Sequence, residues 1–123
     1  MEDFRTVAVL GASPKKERYS NRAICELKAQ GYDVVPVNPG QTVIEGLPVA
    51  ANLAAIGRPI DTLTIYVNPT HIDPLVPEIV AARPGRVIMN PGAESPELAR
   101  ALRQAGIPAL EACTLVLLRT GQF

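Results

Sequence analysis

Thr6-Val-Ala-Val-Leu-Gly-Ala-Ser-Pro14 is a run of apolar and β-branched residues that leads directly into a glycine turn. A continuous run of this kind is typical of a strand buried on both faces of a parallel sheet. Gly11 allows the backbone to turn sharply after the strand, and the amides of Ala12, Ser13 and the following helix start can point at a phosphate. The stretch therefore predicts a strand, a phosphate-binding turn and a helix. A turn glycine without a ligand is the alternative.

Strands and helices alternate along the rest of the chain. Branched apolar runs predict strands, and apolar residues at helical spacing predict the helices between them. The predicted strands after the first are residues 33–37, 47–49 (a doubtful edge strand), 62–67, 86–89 and 108–111. The predicted helices are residues 19–30, 72–82 and 96–105, with a weak turn at 52–56 and no assignment for 113–123. Because parallel βαβ units cross over with one hand, we predict an α/β, three-layer Rossmann-like fold, with a doubly wound parallel sheet of five to six strands in the order 3-2-1-4-5-6.

Length and charge limit the classes of function. The 123 residues suffice for one domain, residues 1–123, with its own core. The 12 lysines and arginines balance 12 aspartates and glutamates, so nothing indicates binding to nucleic acid or to an anionic membrane. The first residues, Met1-Glu-Asp-Phe-Arg5, lack the basic start of a secretory signal, and no apolar run approaches the roughly 20 residues that span a bilayer. We therefore expect a cytoplasmic domain.

Cysteine and histidine are too sparse to predict a metal site or a catalytic pair. Cys25 and Cys113 form no C-x-x-C pattern, and His71 is the only histidine, so we expect reduced thiols and no metal. The carboxylates of Glu94 and Glu111 have no histidine at a spacing that would indicate an acid–base pair. Nothing in the sequence supplies Cys113 with a base or a cation. We expect both cysteines to be packing residues and His71 to lie at the surface.

Three Asn-Pro dipeptides stop three of the predicted strands: Asn38-Pro39, Asn68-Pro69, and Asn90-Pro91 with Gly92 after it. In a doubly wound sheet, ligands bind beyond the carboxyl ends of the strands, at the switch point, here between the first strand and strand 62–67. Asn-Pro provides a rigid φ, a polar amide and a flat apolar ring on which a base can rest. Each dipeptide alone could merely terminate a strand, but three at one edge of the sheet favour a ligand site.

The sequence departs from the dinucleotide-binding fingerprint at two places. Gly11-Ala-Ser-Pro-Lys-Lys16 lacks the second glycine of G-x-G-x-x-G, which brings the backbone close to a pyrophosphate. Val37-Asn38-Pro39 follows the second strand, where NAD needs an acidic residue for its ribose, and no arginine comes directly after it for a 2′-phosphate. NAD or NADP is therefore a minor alternative.

The chain resembles the small CoA-binding proteins and is similar to the CoA-binding domain of the succinyl-CoA synthetase α subunit. Each matching segment is short, but together they cover nearly the whole chain in the right order. They are Val9-Leu-Gly-Ala-Ser13 with Tyr19-Ser-Asn-Arg22, Gly31-Tyr-Asp-Val-Val-Pro-Val-Asn-Pro39, Gly46-Leu-Pro48, Tyr66-Val-Asn-Pro69 and Met89-Asn-Pro-Gly92. Two features depart from the relatives. Glu111-Ala112-Cys113 replaces their frequent Asp-Arg-Cys, and the synthetase domain with the phosphorylated histidine has no counterpart here.

The resemblance implies that CoA lies across the strand ends. It places the phosphates at Gly11, Ala12 and Ser13, and it implies further phosphate contacts from Arg18, Ser20 and Asn21. It implies adenosine walls made by two segments, Val37-Asn38-Pro39 and Val67-Asn68-Pro69, and a pantetheine path bordered by Asn90, Pro91, Gly92 and Ala93.

From the phosphate turn, the Asn-Pro strand ends and the missing catalytic pairs, we expect non-catalytic binding of coenzyme A or an acyl-CoA. An NAD(P)-binding or acyl-transfer enzyme on the same fold is one alternative, and a CoA-sensing interaction module is another. The expected partner is the small molecule CoA, and an exposed edge strand is compatible with a homodimer. The sequence does not identify the acyl group.

Overall fold

A parallel sheet forms the centre of the computed structural model, which describes residues 5–123. In chain order the strands are β1 (Thr6–Leu10), β2 (Asp33–Val37), β3 (Val43–Ile44), β4 (Leu47–Pro48), β5 (Thr62–Ile65), β6 (Arg86–Met89) and β7 (Ala109–Glu111). Within the described residues the main sheet has five strands in the order β2-β1-β5-β6-β7, while β3 and β4 form a separate two-stranded hairpin. The predicted Rossmann-like α/β fold is confirmed.

Helices cover both faces of this sheet. They are α1 (Tyr19–Ala29), α2 (Pro69–Ile72), α3 (Val76–Ala82), α4 (Pro96–Ala105) and α5 (Thr114–Arg119), with 3-10 turns at Leu53–Ile56 and Asp73–Leu75. Every residue of β1 is buried, and its side chains alternate between two cores. One core includes Ala8 with Leu98 of α4, and the other includes Val7 with Ile24 of α1. These are the two helical layers that a doubly wound sheet requires.

The doubtful strand at 47–49 does not join the main sheet as a full strand. Glu45 and Gly46 both have positive φ, 51° and 77°, as a tight two-residue hairpin requires, so β4 pairs with β3 instead. Only a bridge between Val37 and Ala50 remains at the outer side of β2. Pro36 accepts the amide of Ala50 there but has no N–H to donate, which prevents the ladder from continuing. Without the third strand, the observed order otherwise matches the predicted one.

Two helical boundaries differ from the prediction. The helix expected over 72–82 is divided into α2, the 3-10 turn and α3, because Pro74 and Pro77 cannot donate the backbone hydrogen bonds of a continuous helix. It also begins earlier, since the Asn68 side chain accepts the amide of His71 and caps α2. The unassigned tail contains α5, which packs on the same face of the sheet as α1.

Residues 1–4, which make up most of the segment Met1-Glu-Asp-Phe-Arg5 that lacks the basic start of a secretory signal, lie outside the described residues. Among residues 5–123, no helix combines the length and apolar character needed to cross a membrane.

Candidate functional site

The turn after β1 can accommodate only glycine without rearrangement. Gly11 has a φ of +86°, and a Cβ built there would lie 2.7 Å from Cγ1 of Val67 and 3.2 Å from the Tyr66 carbonyl carbon. The amides of Gly11 and Ala12 both donate to the carbonyl oxygen of Val37, at 3.3 Å. The turn is therefore fixed against β2 and β5. The Ala12 amide is engaged within the protein, in contrast to the expectation that it points at a phosphate.

A polar cleft of about 210 Å³ opens beside this turn. Its walls are Gly11, Ser13, Arg18, Tyr19, Ser20, Tyr66 and Pro91. Within residues 5–123, the Ser13 amide, the Arg18 guanidinium and the Ser20 hydroxyl have no hydrogen-bond partner. Arg18 precedes α1 without capping it, so the first amides of that helix also remain available. The cleft thus gathers donors at the positive end of a helix, an arrangement that suits an anion.

Asn21 supports the turn from within and does not line the cleft. Its Nδ2 donates to the Ser13 carbonyl at 2.9 Å and to Oε2 of Glu45 at 3.0 Å. Glu45 also binds Lys16, with Nζ 3.1 Å from Oε2, and its carbonyl accepts Nζ of Lys28 at 2.6 Å. The hydrogen bonds from Asn21 and Lys16 hold the pKa of Glu45 below its ordinary value. Sequence reasoning missed Glu45, because the hairpin that carries it over α1 had no recognisable turn signal.

The side chains of the three Asn-Pro asparagines are engaged within the protein. Asn38 donates to the carbonyl of Ala12 at 2.8 Å and accepts the amide of Gly40 at 2.7 Å, while Asn68 caps α2. They fix the turn after β1 and the start of α2 respectively.

Asn90 is the most deeply buried of the three, at 2% exposure. Its Nδ2 donates to Oγ1 of Thr64 at 2.7 Å and to the carbonyl of Ile65 at 2.9 Å. Its Oδ1 accepts the amide of Thr114 at 2.8 Å, and the hydroxyls of Thr64 and Thr114 are 2.8 Å apart. This residue therefore connects the ends of β5 and β6 to the beginning of α5.

A mainly apolar pocket of about 250 Å³ continues the cleft toward α5. Its walls are Tyr19, Tyr66, Asn90, Pro91, Cys113 and Leu115, so the two spaces share Tyr19, Tyr66 and Pro91. We call the polar cleft and the apolar pocket together the groove. It runs along the carboxyl ends of β1, β5 and β6, at the predicted switch point.

Tyr66 forms part of the wall of both spaces, but its hydroxyl faces the protein interior. That oxygen is buried and has no hydrogen-bond partner in the described part of the chain. Burial raises the pKa of Tyr66 to about 12. The Thr114 and Thr64 hydroxyls oppose this shift, although neither meets the geometry of a hydrogen bond. Tyr66 is therefore a neutral phenol at pH 7.

Only some of the site residues proposed from the sequence line the groove. Gly11, Ser13, Arg18, Ser20, Asn90 and Pro91 line it, and Val67 contacts the turn beneath Gly11. The others do not line it: Ala12, Asn21, Val37, Asn38, Pro39, Asn68, Pro69 and Gly92. Tyr19, Tyr66, Cys113 and Leu115 are new. The tyrosines belong to segments that carried the resemblance, but Leu115 lies in the unassigned tail.

The cysteines and the histidine occupy separate places. Cys113 is partly exposed in the apolar pocket, and Cys25 is exposed on α1, so neither is the buried packing residue that we expected. Burial and the neighbouring carboxylate of Glu45 raise the pKa of Cys25. His71 is exposed in α2, as expected. Among residues 5–123, no group of three or more histidine, cysteine or acidic side chains could hold a metal ion.

Comparison with known proteins extends over most of the chain. A solved structure from Thermus thermophilus, cell-free ID.343, is 36% identical, covers 97% of this chain and 90% of its own, and superposes with a TM-score of 0.87. The uncharacterized protein YneT of Bacillus subtilis (strain 168) is 27% identical over 66 residues, which are 54% of this chain and 49% of that protein. The match therefore spans about half the length of this curated relative.

A larger structure shows the same fold within an enzyme. The dinucleotide-forming acetyl-coenzyme A synthetase 1 of Ca. Korarchaeum cryptofilum is 19% identical, with a TM-score of 0.76 over 89% of this chain and 26% of its own. At this identity the likeness concerns the fold alone. The family described as CoA binding domain matches residues 5–119, nearly the whole chain. This chain belongs to that family of CoA-binding domains.

Proposed function

We propose that this chain binds coenzyme A or an acyl-CoA in the groove and catalyses no reaction. The observation that carries the proposal is the composition of the groove, in which unpartnered donors at a helix start continue directly into an apolar pocket. CoA has the same division, with a diphosphate in its middle and an uncharged arm that ends in a thiol. The family of CoA-binding domains supports the same ligand.

The diphosphate is assigned to the polar cleft. The amide of Ser13, the hydroxyl of Ser20 and the guanidinium of Arg18 supply donors that have no partner in the described part of the chain. Asn21 contributes indirectly, since it fixes the carbonyl of Ser13 and with it the shape of the turn. Backbone donors and an arginine at a helix start bind phosphate strongly because the donors are fixed and the local field is positive.

The pantetheine arm is assigned to the apolar pocket beyond Tyr19, Tyr66 and Pro91. Adenosine then extends the other way, past the turn toward the end of β2. We assign Val37, Asn38 and Pro39 to that side, and Val67, Asn68 and Pro69 to the neighbouring wall. Gly92 and Asn90 shape the pantetheine side. Because the asparagine amides are hydrogen-bonded within the protein, these residues would define the shape of the site rather than donate hydrogen bonds to the ligand.

The absence of catalysis is proposed from the surroundings of Cys113. Its neighbours in the pocket are neutral, since Tyr66 keeps its proton at pH 7 and Asn90 uses its amide atoms internally. A nucleophilic thiol needs a base or a cation to stabilise the thiolate. The exposed His71 lies in α2 and does not line the pocket.

Titration calorimetry with CoA, NAD, NADP and ADP tests this proposal. We expect CoA to bind with micromolar or better affinity, more tightly than NAD or NADP, because β2 ends at Val37 and Asn38 without an acidic residue for the NAD ribose. Tighter binding of NAD, or no heat with CoA, would overturn the proposal. Turnover of an acyl-CoA in a thiol-release assay would contradict the non-catalytic part alone.

A further inference from the structure

We propose that the apolar pocket receives the acyl end of a thioester, so that the chain prefers short uncharged acyl groups over acyl groups that carry a carboxylate. This inference rests on the proposed function, because it takes CoA as the carrier. It adds the chemical class of the acyl group.

The walls of the pocket explain the preference. None of its six lining residues is a lysine, arginine, histidine, aspartate or glutamate. The polar side-chain groups of two of these residues are turned away or occupied. The Tyr66 hydroxyl is buried in the interior, and the Asn90 amide binds Thr64, Ile65 and Thr114. The remaining wall includes the Tyr19 ring, Pro91, Leu115 and the Cys113 thiol.

Such walls distinguish between the two ends of CoA. Adenine carries hydrogen-bonding edges that need partners when they are buried, and the pocket offers few. The acyl end of a simple thioester is mostly hydrocarbon and loses little by leaving water. The apolar pocket therefore suits the thioester end and leaves the adenosine to the opposite side of the phosphate cleft.

A terminal carboxylate in this pocket would meet no cationic side chain among the six lining residues. Moving an ionised group out of water without a counter-charge is costly, and Arg22, whose guanidinium lies 5.5 Å from the centroid of the Tyr19 ring, does not line the pocket. Arg18 belongs to the polar cleft, where the diphosphate is assigned. Carboxylated acyl groups are thus disfavoured by desolvation rather than by size.

The volume limits the length of the acyl group. At about 250 Å³ the pocket is smaller than the cavities that enclose a whole drug-sized ligand, and it is open to the cleft at one side. Pockets for such ligands measure roughly 300–1,000 Å³. The space therefore fits one end of a molecule, such as the thioester with a short chain, and excludes a long fatty chain.

Calorimetry with butyryl-CoA and succinyl-CoA separates charge from size, because these thioesters have acyl chains of equal length. We expect succinyl-CoA to bind about tenfold or more weakly than butyryl-CoA, the ratio that follows from a buried carboxylate without a partner. Equal affinities for the two would overturn this inference and leave the proposed function intact, provided that CoA itself binds. No binding of CoA would overturn both.

A charge placed in the pocket gives a second test. Cys113→Lys adds a cation to its wall, and we expect the variant to bind succinyl-CoA more tightly than butyryl-CoA. Cys25→Lys is the matched control, since Cys25 is the other free cysteine and lies exposed on α1. We expect the control to keep the wild-type preference. An unchanged preference in a folded Cys113→Lys protein, with folding checked by its thermal transition, would also overturn the inference.

Discussion

The two parts of the groove share three wall residues but differ in how their polar groups are used. In the polar cleft, the Ser13 amide, the Arg18 guanidinium and the Ser20 hydroxyl have no hydrogen-bond partner among residues 5–123. In the apolar pocket, both polar atoms of the Asn90 side-chain amide form hydrogen bonds within the protein. The polar cleft thus suits an anion because its donors have no partner among the described residues. The pocket is apolar because the Asn90 amide is hydrogen-bonded within the protein.

This comparison also explains why the third Asn-Pro differs from the first two. Asn38 binds the turn after β1 and is partly exposed, while Asn68 caps an exposed helix start. Asn90 is buried and joins strands to α5 across the floor of the pocket. The same dipeptide therefore has a local role after β5 and a tertiary role after β2 and β6, and Asn90 alone of the three asparagines is buried.

The largest effect is expected from removing the Asn90 side chain. Asn90→Ala leaves the Thr114 amide buried without its partner and removes one of the two hydrogen bonds to the Ile65 carbonyl, which costs about 2–3 kcal/mol of unfolding free energy. Asn68→Ala is the matched control, because it removes only an exposed cap worth at most about 1 kcal/mol. Urea denaturation of both variants measures the difference. Equal losses would show that the buried network stabilises the fold no more than an exposed helix cap does.

A smaller loss is expected at the turn glycine. Gly11→Ala combines a positive φ with a contact of 2.7 Å to Val67, and we expect a loss of about 2 kcal/mol in stability together with weaker CoA binding. Gly31→Ala is the control, since it has a φ of +91° and no atom within 4 Å of the new Cβ. It should cost about 1 kcal/mol and leave binding unchanged. CoA affinity that falls equally in both variants would contradict a role of the turn in binding.

Local patterns were enough to predict most of this fold. The β1 run and the helix predicted over residues 96–105 rest on short-range signals, and the structure confirms both, with Ser95 as the cap of α4. The apolar pocket could not be predicted in this way. Asn90 lies 26 residues from Thr64 and 24 from Thr114, and α5 has only six residues, too few for a clear helical pattern. Five of the seven residues that line the polar cleft lie within residues 11–20, whereas the pocket depends mainly on contacts distant in sequence.

Arg18 provides the next test, which concerns binding rather than stability. Its side chain has no partner within residues 5–123, so Arg18→Ala should leave the thermal transition unchanged and weaken CoA about tenfold, as expected for one lost arginine–phosphate interaction. Arg100→Ala is the control, because Arg100 is equally an exposed helix-associated arginine but lies on α4 and pairs with Glu97. Calorimetry of both variants against CoA decides the role of Arg18. An unchanged affinity would mean that the CoA phosphates do not bind beside Arg18.

The smallest effect is expected from Tyr66→Phe, which removes only the buried hydroxyl. Since that oxygen has no partner, its loss should change the unfolding free energy at pH 7 by less than about 1 kcal/mol and should not weaken CoA binding. The difference should appear at high pH. The folded pKa of Tyr66 is raised to about 12 from a usual 10, so the neutral phenol stabilises the fold below pH 10, and this contribution is lost as the pH rises through 12. Unfolding followed between pH 9 and 12 should therefore show a steeper loss in the wild type than in Tyr66→Phe. Parallel curves would mean that the phenol is solvated, and the pocket would then be less apolar than its walls indicate.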